Sequence, residues 1–321
     1  MSSVPVFAAR DVEAAVSPER AVEVVRDAFV AYARGEWSMP SKVYVHAYPA
    51  GDFRAMPALG GGYALLKWVT SFPGNPELGL PTVTGLVLLS DASTGMPVAV
   101  LDAGAVTALR TGAAAVLAAE VLGREDAEAA AVIGAGVNGQ AAARTFVARG
   151  RQVSIWDVDL DRAEEAAVEL GAEVAESREA ALGADLVVTV TPGHEILFPE
   201  GSLRVGQHVS LMGADGPGKA EIAAAELLRV RVFCDDWEQA SHNGDLVHAV
   251  NAHNFDQDWA TELGAVLSGT APGREDPEEI TVFDSTGLAI QDLAVGIEVV
   301  KRFGAAANED RFSGVQQIEI G

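Results

Sequence analysis

The first third of the chain changes from a helical to a strand-like hydrophobic pattern. Residues 5–35 predict an amphipathic helical opening, in which Ser17 and Pro18 supply an N-cap and a first-turn proline before ERAVEVVRDAFVAYARG. This helix is predicted to end at Gly35. From residue 43 onward, short β-rich runs (KVYVHAY, ALLKWV, TVTGLVLLSD and MPVAVLD) are separated by turn sequences such as PAGD and DASTG. These runs predict an antiparallel sheet.

The middle of the chain alternates strands with helices. An alanine-rich helix is predicted from about Ala105 to Leu122, and the alternation then runs from AEAAAVIGAG to about Phe283. This pattern is typical of a doubly wound Rossmann domain. The last segment, STGLAIQDLAVGIEVVKRFG, has a helical period and is predicted to return to the first domain. The predicted fold class is α/β, with a Rossmann domain (113–287) inserted in a second α/β domain (1–112 plus 288–321).

The composition indicates a globular protein. With 321 residues, 49% of them hydrophobic, the chain can bury a large core, for which two domains are the ordinary arrangement. Apolar runs are short or alanine-rich, and MSSVPVFAARDVEAAV lacks the cationic region that precedes the apolar stretch of an export signal. We therefore expect no membrane association. Cys234 is the only cysteine, which excludes an intrachain disulfide and favours a cytoplasmic location.

The net charge is strongly negative. Lys and Arg number 22 against 46 Asp and Glu, which gives a formal charge of −24. Nucleic-acid phosphates require clustered Lys and Arg, so we expect no nucleic-acid partner. An acid-rich, lysine-poor surface favours a halophilic origin, because salt screens its self-repulsion. An ordinary acidic surface is the alternative, and a protein that stays folded and active in low salt would support it.

A glycine-rich turn lies where a dinucleotide would bind. Gly134, Gly136 and Gly139 form GAGVNG directly between the apolar strand AAAVI and the helix QAAARTFVARG, with Val137 and Asn138 between the last two glycines. The glycines permit a tight turn, a close backbone approach to the pyrophosphate, and close packing of helix and strand. Free N–H groups at the helix start would bind the phosphates.

The residue after the next strand favours one cofactor. Asp157 ends QVSIWD, eighteen residues past the third glycine. A carboxylate at this position accepts hydrogen bonds from the ribose hydroxyls of NAD and repels the extra phosphate of NADP. No arginine follows before Arg162, so NAD is the predicted cofactor. A later strand, DLVVTV, ends at Thr191, whose hydroxyl could line the cofactor cleft.

Two cations stand in apolar surroundings. The four lysines of the chain are Lys42, Lys67, Lys219 and Lys301, and the other basic residues are arginines. Lys67 lies inside YALLKWV, where a half-buried ammonium would need an anionic partner; the alternative is a side chain that snorkels to the sheet edge. Arg110 is a lone cation in the helix VTALRTGAAAV. Two such cations can bind a carboxylate.

Longer motifs carry a family resemblance. The segments MPSKVYV, DFRAMPALGG, ALLKWVTSFPGNPELGLPTVTGLVLLSDASTGMPVAVLD, TALRTGAAA, MGADGPGKAEI and VFDSTGLAIQDLA resemble the ornithine cyclodeaminase/μ-crystallin family along nearly the whole chain. The resemblance implies a homodimer, formed by the domain that also binds substrate. It implies that Lys67 and Arg110 hold a substrate carboxylate beside the nicotinamide, that Lys67 and Asp215 are catalytic, and that Asp215 is the acid/base. It places Thr111, Ser285 and Thr286 near the cofactor.

Two residues favour one branch of that family. Arg54 in DFRAMP and Lys42 in MPSKV resemble the archaeal alanine dehydrogenase branch, whereas cyclodeaminases carry an acidic residue and an arginine at these positions. A second substrate ammonium suits a carboxylate and is repelled by a guanidinium. The expected reaction is NAD-dependent oxidative deamination of a small L-amino acid, and alanine is the leading candidate substrate. Ornithine cyclodeamination, imine reduction and a crystallin-like binding function are the alternatives.

The remaining polar residues support no metal site. Without the resemblance, Asp215 in a Gly-Pro-Gly loop would be taken as a turn residue. His46 is a weak candidate near the Lys42 strand. The other histidines have no metal-ligand spacing and are expected at the surface or with satisfied hydrogen bonds; they are His194, His208, His242, His248 and His253. The acidic residues Asp235, Asp236 and Glu238 follow the strand VRVF and predict a loop and a helix start.

Overall fold

The chain forms two units. The computed structural model describes residues 2–216, 218–253, 255–305 and 314–320. The first unit consists of Met1–Arg110 and Leu288–Gly321, and the second of Thr111–Gly287. The sequence places the division after residue 112. Both positions lie within one continuous helix, Ala103–Leu122, whose local pattern does not mark a boundary.

A mixed sheet forms the base of the first unit. Its strands in the described residues are β1 (Ser2–Phe7), β2 (Val43–His46), β3 (Asp52–Gly60), β4 (Tyr63–Ser71), β5 (Val83–Asp91), β6 (Pro97–Asp102) and β15 (Gln316–Ile320). Their order is β15-β1-β6-β5-β4-β3-β2, and only β1 and β6 pair in parallel. The predicted antiparallel sheet is therefore confirmed for β2, β4, β5 and β6.

Helices cover one face of this sheet. The first unit contains α1 (Ala9–Ala15), α2 (Pro18–Ala33) and α11 (Ala289–Ala305), and α11 contacts α2, β3, β4 and β5. On β4, Leu65, Lys67 and Val69 are buried, whereas Leu66 and Trp68 are exposed. The buried side chains of β4 therefore face α11. The carboxyl-terminal helix, predicted from its period, returns to the sheet as expected.

The amino-terminal prediction was wrong in its first part. Ser2–Phe7 form strand β1 rather than helix, because this segment pairs with β6 and β15 and buries Val4. Long-range pairing outweighs local propensity here. Helix α2 begins as predicted, with Pro18 in its first turn and the Ser17 hydroxyl accepting a hydrogen bond from the Arg20 N–H at 3.3 Å. It ends at Ala33, close to the predicted Gly35.

Strand β3 was not among the predicted strands. Its sequence, DFRAMPALG, contains Pro57, which removes a backbone donor and argues against a central strand. The neighbouring strand β2 starts opposite Ala55 and pairs only toward Asp52, so Pro57 lies beyond that part of the ladder. The missing N–H therefore costs no hydrogen bond to β2. This strand carries Arg54, one of the predicted site residues.

The second unit contains a parallel sheet. Its strands in the described residues are β7 (Ala130–Ile133), β8 (Val153–Trp156), β9 (Glu173–Val174), β10 (Leu186–Thr189), β11 (His208–Leu211), β12 (Arg231–Cys234), β13 (Ala260–Glu262) and β14 (Thr281–Asp284). The order is β13-β12-β14-β11-β10-β7-β8-β9, and every neighbouring pair is parallel. The predicted doubly wound Rossmann domain is confirmed.

Short helices connect these strands. They are α4 (Val137–Ala148), α5 (Leu160–Leu170), α6 (Arg178–Leu182), α7 (Ala224–Leu227), α8 (Trp237–Asn243), α9 (Leu246–His253) and α10 (Leu263–Leu267). The central strands β7, β10, β11 and β14 are buried at every position, as expected when both faces of a parallel sheet are covered.

The long helix α3 (Ala103–Leu122) runs from the first unit into the second. Among the described residues, it alone is long and apolar enough to cross a membrane by length and composition. Of its most apolar window, 78% is buried inside the protein, as in a core helix. Its alanine and valine content is therefore accounted for by packing.

Candidate active site

The predicted cofactor residues of the second unit follow the carboxyl ends of parallel strands. Gly134, Gly136, Val137, Asn138 and Gly139 follow β7, Asp157 follows β8, Thr191 follows β10, and Ser285 and Thr286 follow β14. Because these strands are parallel, the loops lie at one edge of the sheet. Strand β7 has β8 on one side and β10 on the other, so the chain winds in opposite directions from this point. Doubly wound sheets bind ligands at such a switch point.

The glycine turn has the shape that a dinucleotide requires. Gly134 has φ of +104°, a conformation that L side chains rarely adopt. A Cβ on Gly139 would lie 1.7 Å from the carbonyl oxygen of Gly134, so only glycine permits this contact of helix and turn. A Cβ on Gly136, the N-cap of α4, would meet nothing within 4 Å. The open space beside this helix start fits a pyrophosphate.

The first turn of α4 and a nearby hydroxyl complete this part of the site. Val137 is exposed and Asn138 is half-buried, so both can be reached by a pyrophosphate at the helix start. The Thr111 hydroxyl is buried and has no hydrogen-bond partner among the described residues. An orphaned buried hydroxyl of this kind is satisfied by a ligand or a water. The residues present therefore fit NAD.

Asp157 is held in place by the backbone. Its Oδ2 accepts a hydrogen bond from the Ala135 N–H at 2.7 Å and its Oδ1 accepts one from the Asp159 N–H at 2.9 Å. Arg162 lies 3.7 Å from Asp157 and 3.0 Å from Asp159, so two carboxylates neutralise it. A fixed acid with an engaged arginine favours the ribose hydroxyls of NAD over a phosphate.

Replacing Asp157 with serine is expected to raise the ratio of kcat/KM with NADP to kcat/KM with NAD at least about tenfold, since repulsion between like charges costs more than about 1.4 kcal/mol. The change also loosens Arg162 from one of its two acidic neighbours. Initial rates with each cofactor measure the ratio. The control is Asp161→Ser on the exposed first turn of α5, which should leave the ratio unchanged. An unchanged ratio in Asp157→Ser would show that Asp157 does not discriminate.

Buried carboxylates support the loops at this edge. Glu221 Oε2 accepts hydrogen bonds from the Thr189 hydroxyl at 2.7 Å and the Gly213 N–H at 2.9 Å. Its Oε1 accepts two from Thr191, from the hydroxyl at 2.7 Å and the N–H at 3.0 Å. Glu221 thereby ties the loop after β10 to the loop after β11. Thr191 is positioned by this carboxylate.

Two further acids lie deeper in the same unit. Asp245 accepts hydrogen bonds from the Glu221 and Ile222 N–H groups at 2.6 and 3.1 Å, and Asp284 accepts one from the Leu246 N–H at 2.9 Å. Burial, and then repulsion from Glu221, raises the pKa of Asp245 to about 7. Burial likewise raises the pKa of Asp284 well above its ordinary value. These acids therefore favour their neutral forms more than exposed carboxyl groups do.

Asp235 positions the loop of Ser285 and Thr286. Its carboxylate accepts hydrogen bonds from the Ser285 hydroxyl at 3.0 Å, the Gly287 N–H at 2.8 Å and the Thr286 hydroxyl at 3.4 Å. The sequence indicated only a loop and a helix start here, and Asp236 is indeed the N-cap of α8. The positioning role of Asp235 was missed, because its partners lie about fifty residues away.

Asp215 lies in the loop after β11. Its carboxylate is partly exposed and forms an ion pair with Lys219 at 2.6 Å. Pro217, between them, lies outside the described residues. A partly exposed carboxylate can exchange protons with water, which an acid/base must do.

Lys67 is buried in the first unit, so the alternative of a snorkelling side chain was wrong. The residue is 1% exposed, and its Nζ donates hydrogen bonds to Asp292 Oδ1 at 2.9 Å and Thr107 Oγ1 at 2.6 Å. Arg110 Nε lies 3.4 Å from the same Asp292 oxygen. Burial lowers the pKa of Lys67 to about 8, although Asp292 opposes the shift. The two predicted cations therefore share one buried carboxylate.

Arg54 lies on the same face of the sheet as Lys67. In the β3–β4 register, Met56 is opposite Lys67 and Arg54 is opposite Val69, and residues two apart on a strand share a face. Arg54 is 2.7 Å from Asp52 and lies over the Tyr44 ring at 5.4 Å. Its charge also lowers the pKa of Lys67. This face of the sheet therefore carries two cations, and Arg110 of α3 shares Asp292 with one of them, Lys67.

Lys42 and His46 flank the same part of the chain. Lys42 precedes β2 and is half-buried. His46 stacks between the rings of Tyr44 and Tyr48, at centroid distances of 6.0 and 4.8 Å. Its ring therefore contributes to an aromatic stack on β2.

The other histidines differ in their surroundings. His208 is buried and hydrogen-bonded to Thr281 and Ser210, and burial lowers its pKa to about 3. His248 contacts the Lys219 carbonyl, and His194 and His242 are exposed. The side chain of His253 lies outside the described residues. Within the described part of the chain, no group of three or more His, Cys, Asp or Glu residues could hold a metal ion.

Fold and site together define a class of protein: a dinucleotide-binding α/β oxidoreductase whose other unit holds buried cations around Asp292. The chain belongs to the ornithine cyclodeaminase/mu-crystallin family, whose model matches residues 4–305. The predicted family and the predicted cofactor, NAD, are both confirmed. The protein is an NAD-dependent oxidoreductase of this family.

Relatives within the family differ in their substrates. The alanine dehydrogenase of Archaeoglobus fulgidus is 41% identical over 295 residues, which cover 89% of this chain and 90% of the relative. The ornithine cyclodeaminase of Agrobacterium tumefaciens is 32% identical over 254 residues, which cover 76% and 70%.

Two solved structures are also similar. An archaeal alanine dehydrogenase dimer with bound NAD has a TM-score of 0.91 and 37% identity, with all of both chains covered. A Thermococcus litoralis Δ1-pyrroline-2-carboxylate reductase with NADH and L-proline has a TM-score of 0.88 and 27% identity, with 95% of this chain and 98% of the other covered.

Proposed function

We propose that this protein oxidises a small L-amino acid with NAD, L-alanine first, to the 2-oxo acid and ammonia. The single observation that carries the proposal is the buried cation cluster of the first unit, in which Lys67 and Arg110 both contact Asp292 and Arg54 lies on the same sheet face as Lys67. A cluster of this charge suits an α-carboxylate. It disfavours a substrate whose side chain is also cationic.

The residues divide the chemistry between them. NAD, when bound, accepts the hydride that leaves the α-carbon. Lys67 and Arg110 bind and orient the substrate carboxylate, which fixes the α-carbon for reaction. Asp215 takes a proton from the α-ammonium so that an imine can form, and then assists the addition of water. Ammonia and the 2-oxo acid are released, and in the reverse direction the same groups act in the opposite order.

Arg54 supports alanine over ornithine. A cyclodeaminase must hold a second ammonium, and here that group would approach the Arg54 guanidinium, whose charge still acts on Lys67 although Asp52 pairs with it. Two like charges placed next to each other at a protein interface cost about several kcal/mol, and we expect a similar cost in this partly buried site. The 41% identity to an alanine dehydrogenase is consistent with this preference.

The test is a pair of product measurements with the purified protein. NADH absorbance is followed after addition of NAD and L-alanine, across a panel of small amino acids and at high and low salt. Proline is measured after addition of L-ornithine and catalytic NAD. Net NADH formation with alanine supports the proposal. Proline formed without net NADH would identify a cyclodeaminase. If NADH is oxidised with a cyclic imine but no amino acid is turned over, the protein is an imine reductase. Ligand binding without any turnover would indicate a crystallin-like role.

We also propose that two copies pair through the uncovered face of the first sheet. This face carries exposed apolar side chains on four neighbouring strands: Val43 and Val45 on β2, Leu59 on β3, Leu66 and Trp68 on β4, and Leu86 and Leu88 on β5. An apolar patch of this kind is unusual on a monomer. A second copy is the favoured occupant because a structurally similar alanine dehydrogenase is a dimer.

A further inference from the structure

The hydrogen-bond directions around Lys67 are determined by its neighbours. The Thr107 hydroxyl oxygen lies 2.6 Å from Lys67 Nζ and 2.6 Å from the carbonyl oxygen of Ala103. A carbonyl can only accept, and a hydroxyl has one hydrogen, so Thr107 donates to Ala103. It must then accept from Lys67. Asp292, the other partner of Nζ, accepts as a carboxylate.

Two of the Lys67 donors are therefore always used within the protein. A charged ammonium has a third N–H, whose direction follows from the other two by tetrahedral geometry. A neutral amine has only two N–H groups and would present a lone pair in that direction. The same point in space thus attracts a carboxylate when Lys67 is charged and repels it when Lys67 is neutral.

Charged groups from three elements set this balance. Asp292 of α11 favours the charged form, whereas Arg110 of α3 and Arg54 of β3 disfavour it together with burial. Asp292 is the acidic group that opposes them, and its Oδ2 is buried with no hydrogen-bond partner in the described part of the chain. Loss of this carboxylate would leave a buried amine among cations.

We propose that Thr107 and Asp292 are positioning residues, which direct the one remaining N–H of Lys67 at the substrate carboxylate, and that Asp292 keeps this lysine charged at neutral pH. The role in catalysis rests on the proposed amino-acid dehydrogenase function. It adds a pH limit to that function. Because deprotonation removes the third N–H, kcat/KM should be highest below the pKa of Lys67, about 8, and fall as the pH rises through it.

The first test reads Lys67 directly and needs no activity. The chain has only four lysines, so NMR of protein with isotope-labelled lysine should resolve each of them, and Lys67→Met identifies the Lys67 signal. In the wild-type protein this signal should titrate near pH 8. In Asp292→Asn the midpoint should fall by about one pH unit or more, since an opposite charge at this range shifts a pKa by about 1–3 units. A normal lysine titration, or one unchanged in Asp292→Asn, overturns the proposal.

The second test separates positioning from packing by kinetics. Thr107→Val removes the acceptor at similar volume and should lower kcat/KM about tenfold, whereas Thr107→Ser keeps the hydroxyl and should stay within about twofold of wild type. In Asp292→Asn the falling limb of the pH profile should move to lower pH with the NMR midpoint. Equal losses in Val and Ser, or an unmoved limb, overturn the positioning role.

The two tests fail separately from the proposed function. If no amino acid is oxidised, titration with pyruvate replaces the kinetic readout, and the Lys67 signal should respond to pyruvate below but not above its midpoint. If alanine is oxidised while Lys67 titrates as an ordinary lysine, the proposed dehydrogenase function is supported. The proposal that Asp292 controls the charge of Lys67 is then wrong.

Discussion

Replacement of Lys67 with methionine is expected to lower kcat/KM for L-alanine by about a hundredfold to a thousandfold. Truncating one partner of a buried charge pair costs about 2–5 kcal/mol, and about 1.4 kcal/mol corresponds to a factor of ten. Methionine matches the aliphatic length of lysine and can pack in the same buried position, but it gives no N–H to a carboxylate. The remaining cation, Arg110, would face Asp292 alone.

The measurement combines initial rates with cofactor binding. NAD affinity, followed by fluorescence titration, should change by less than about twofold, because the predicted cofactor residues belong to the second unit. Lys301→Met serves as the matched control, since Lys301 is exposed on α11, and it should retain wild-type rates. Wild-type kcat/KM in Lys67→Met would show that the carboxylate binds elsewhere and would remove the main support for the proposed reaction.

A glutamate in the centre of the uncovered sheet face is expected to convert the proposed dimer into monomers. Trp68 and Leu86 are directly opposite each other on β4 and β5 and are 42% and 57% exposed. In the proposed dimer they would be covered, so Leu86→Glu buries two charges per dimer without partners, at several kcal/mol each. We expect the dissociation constant to rise at least about a thousandfold.

Analytical ultracentrifugation over a concentration series measures this change. The wild-type protein should sediment as a dimer and Leu86→Glu as a monomer of 33.4 kDa. The control is Val168→Glu, which places the same charge on a side chain of α5 that is 85% exposed, and it should remain dimeric. A dimeric Leu86→Glu, or a monomeric wild type, would mean that this face does not form the interface.

The shape of the candidate cofactor site could be predicted because its signal in the sequence is local. GAGVNG, its flanking strand and helix, and Asp157 lie within one short stretch of sequence, and each residue answers a backbone requirement of that stretch. Gly134 needs a positive φ and Gly139 a contact that no Cβ allows. Such requirements are visible in residue types alone.

The supporting acids were not predictable in the same way. Glu221 and Asp235 act on residues 30 and 50 positions away, and nothing in their local sequence indicates a buried carboxylate. The only feature that the sequence showed at these positions was an acidic residue next to an apolar strand or a loop. Strand β3 was missed for a related reason, because Pro57 is tolerated only where the neighbouring strand has ended.

By itself, the sequence determined the α/β class, the family, the glycine turn that is the candidate NAD site, and the need of Lys67 for an anion. Periodicity, glycine geometry and the cost of a lone buried charge all act over short stretches of chain. Only the tertiary structure decided which anion that is. Asp292 lies 225 residues from Lys67 and reaches it because α11 packs against β4. The fold also decided that Ser2–Phe7 form a strand, since their hydrogen-bond partners come from distant segments.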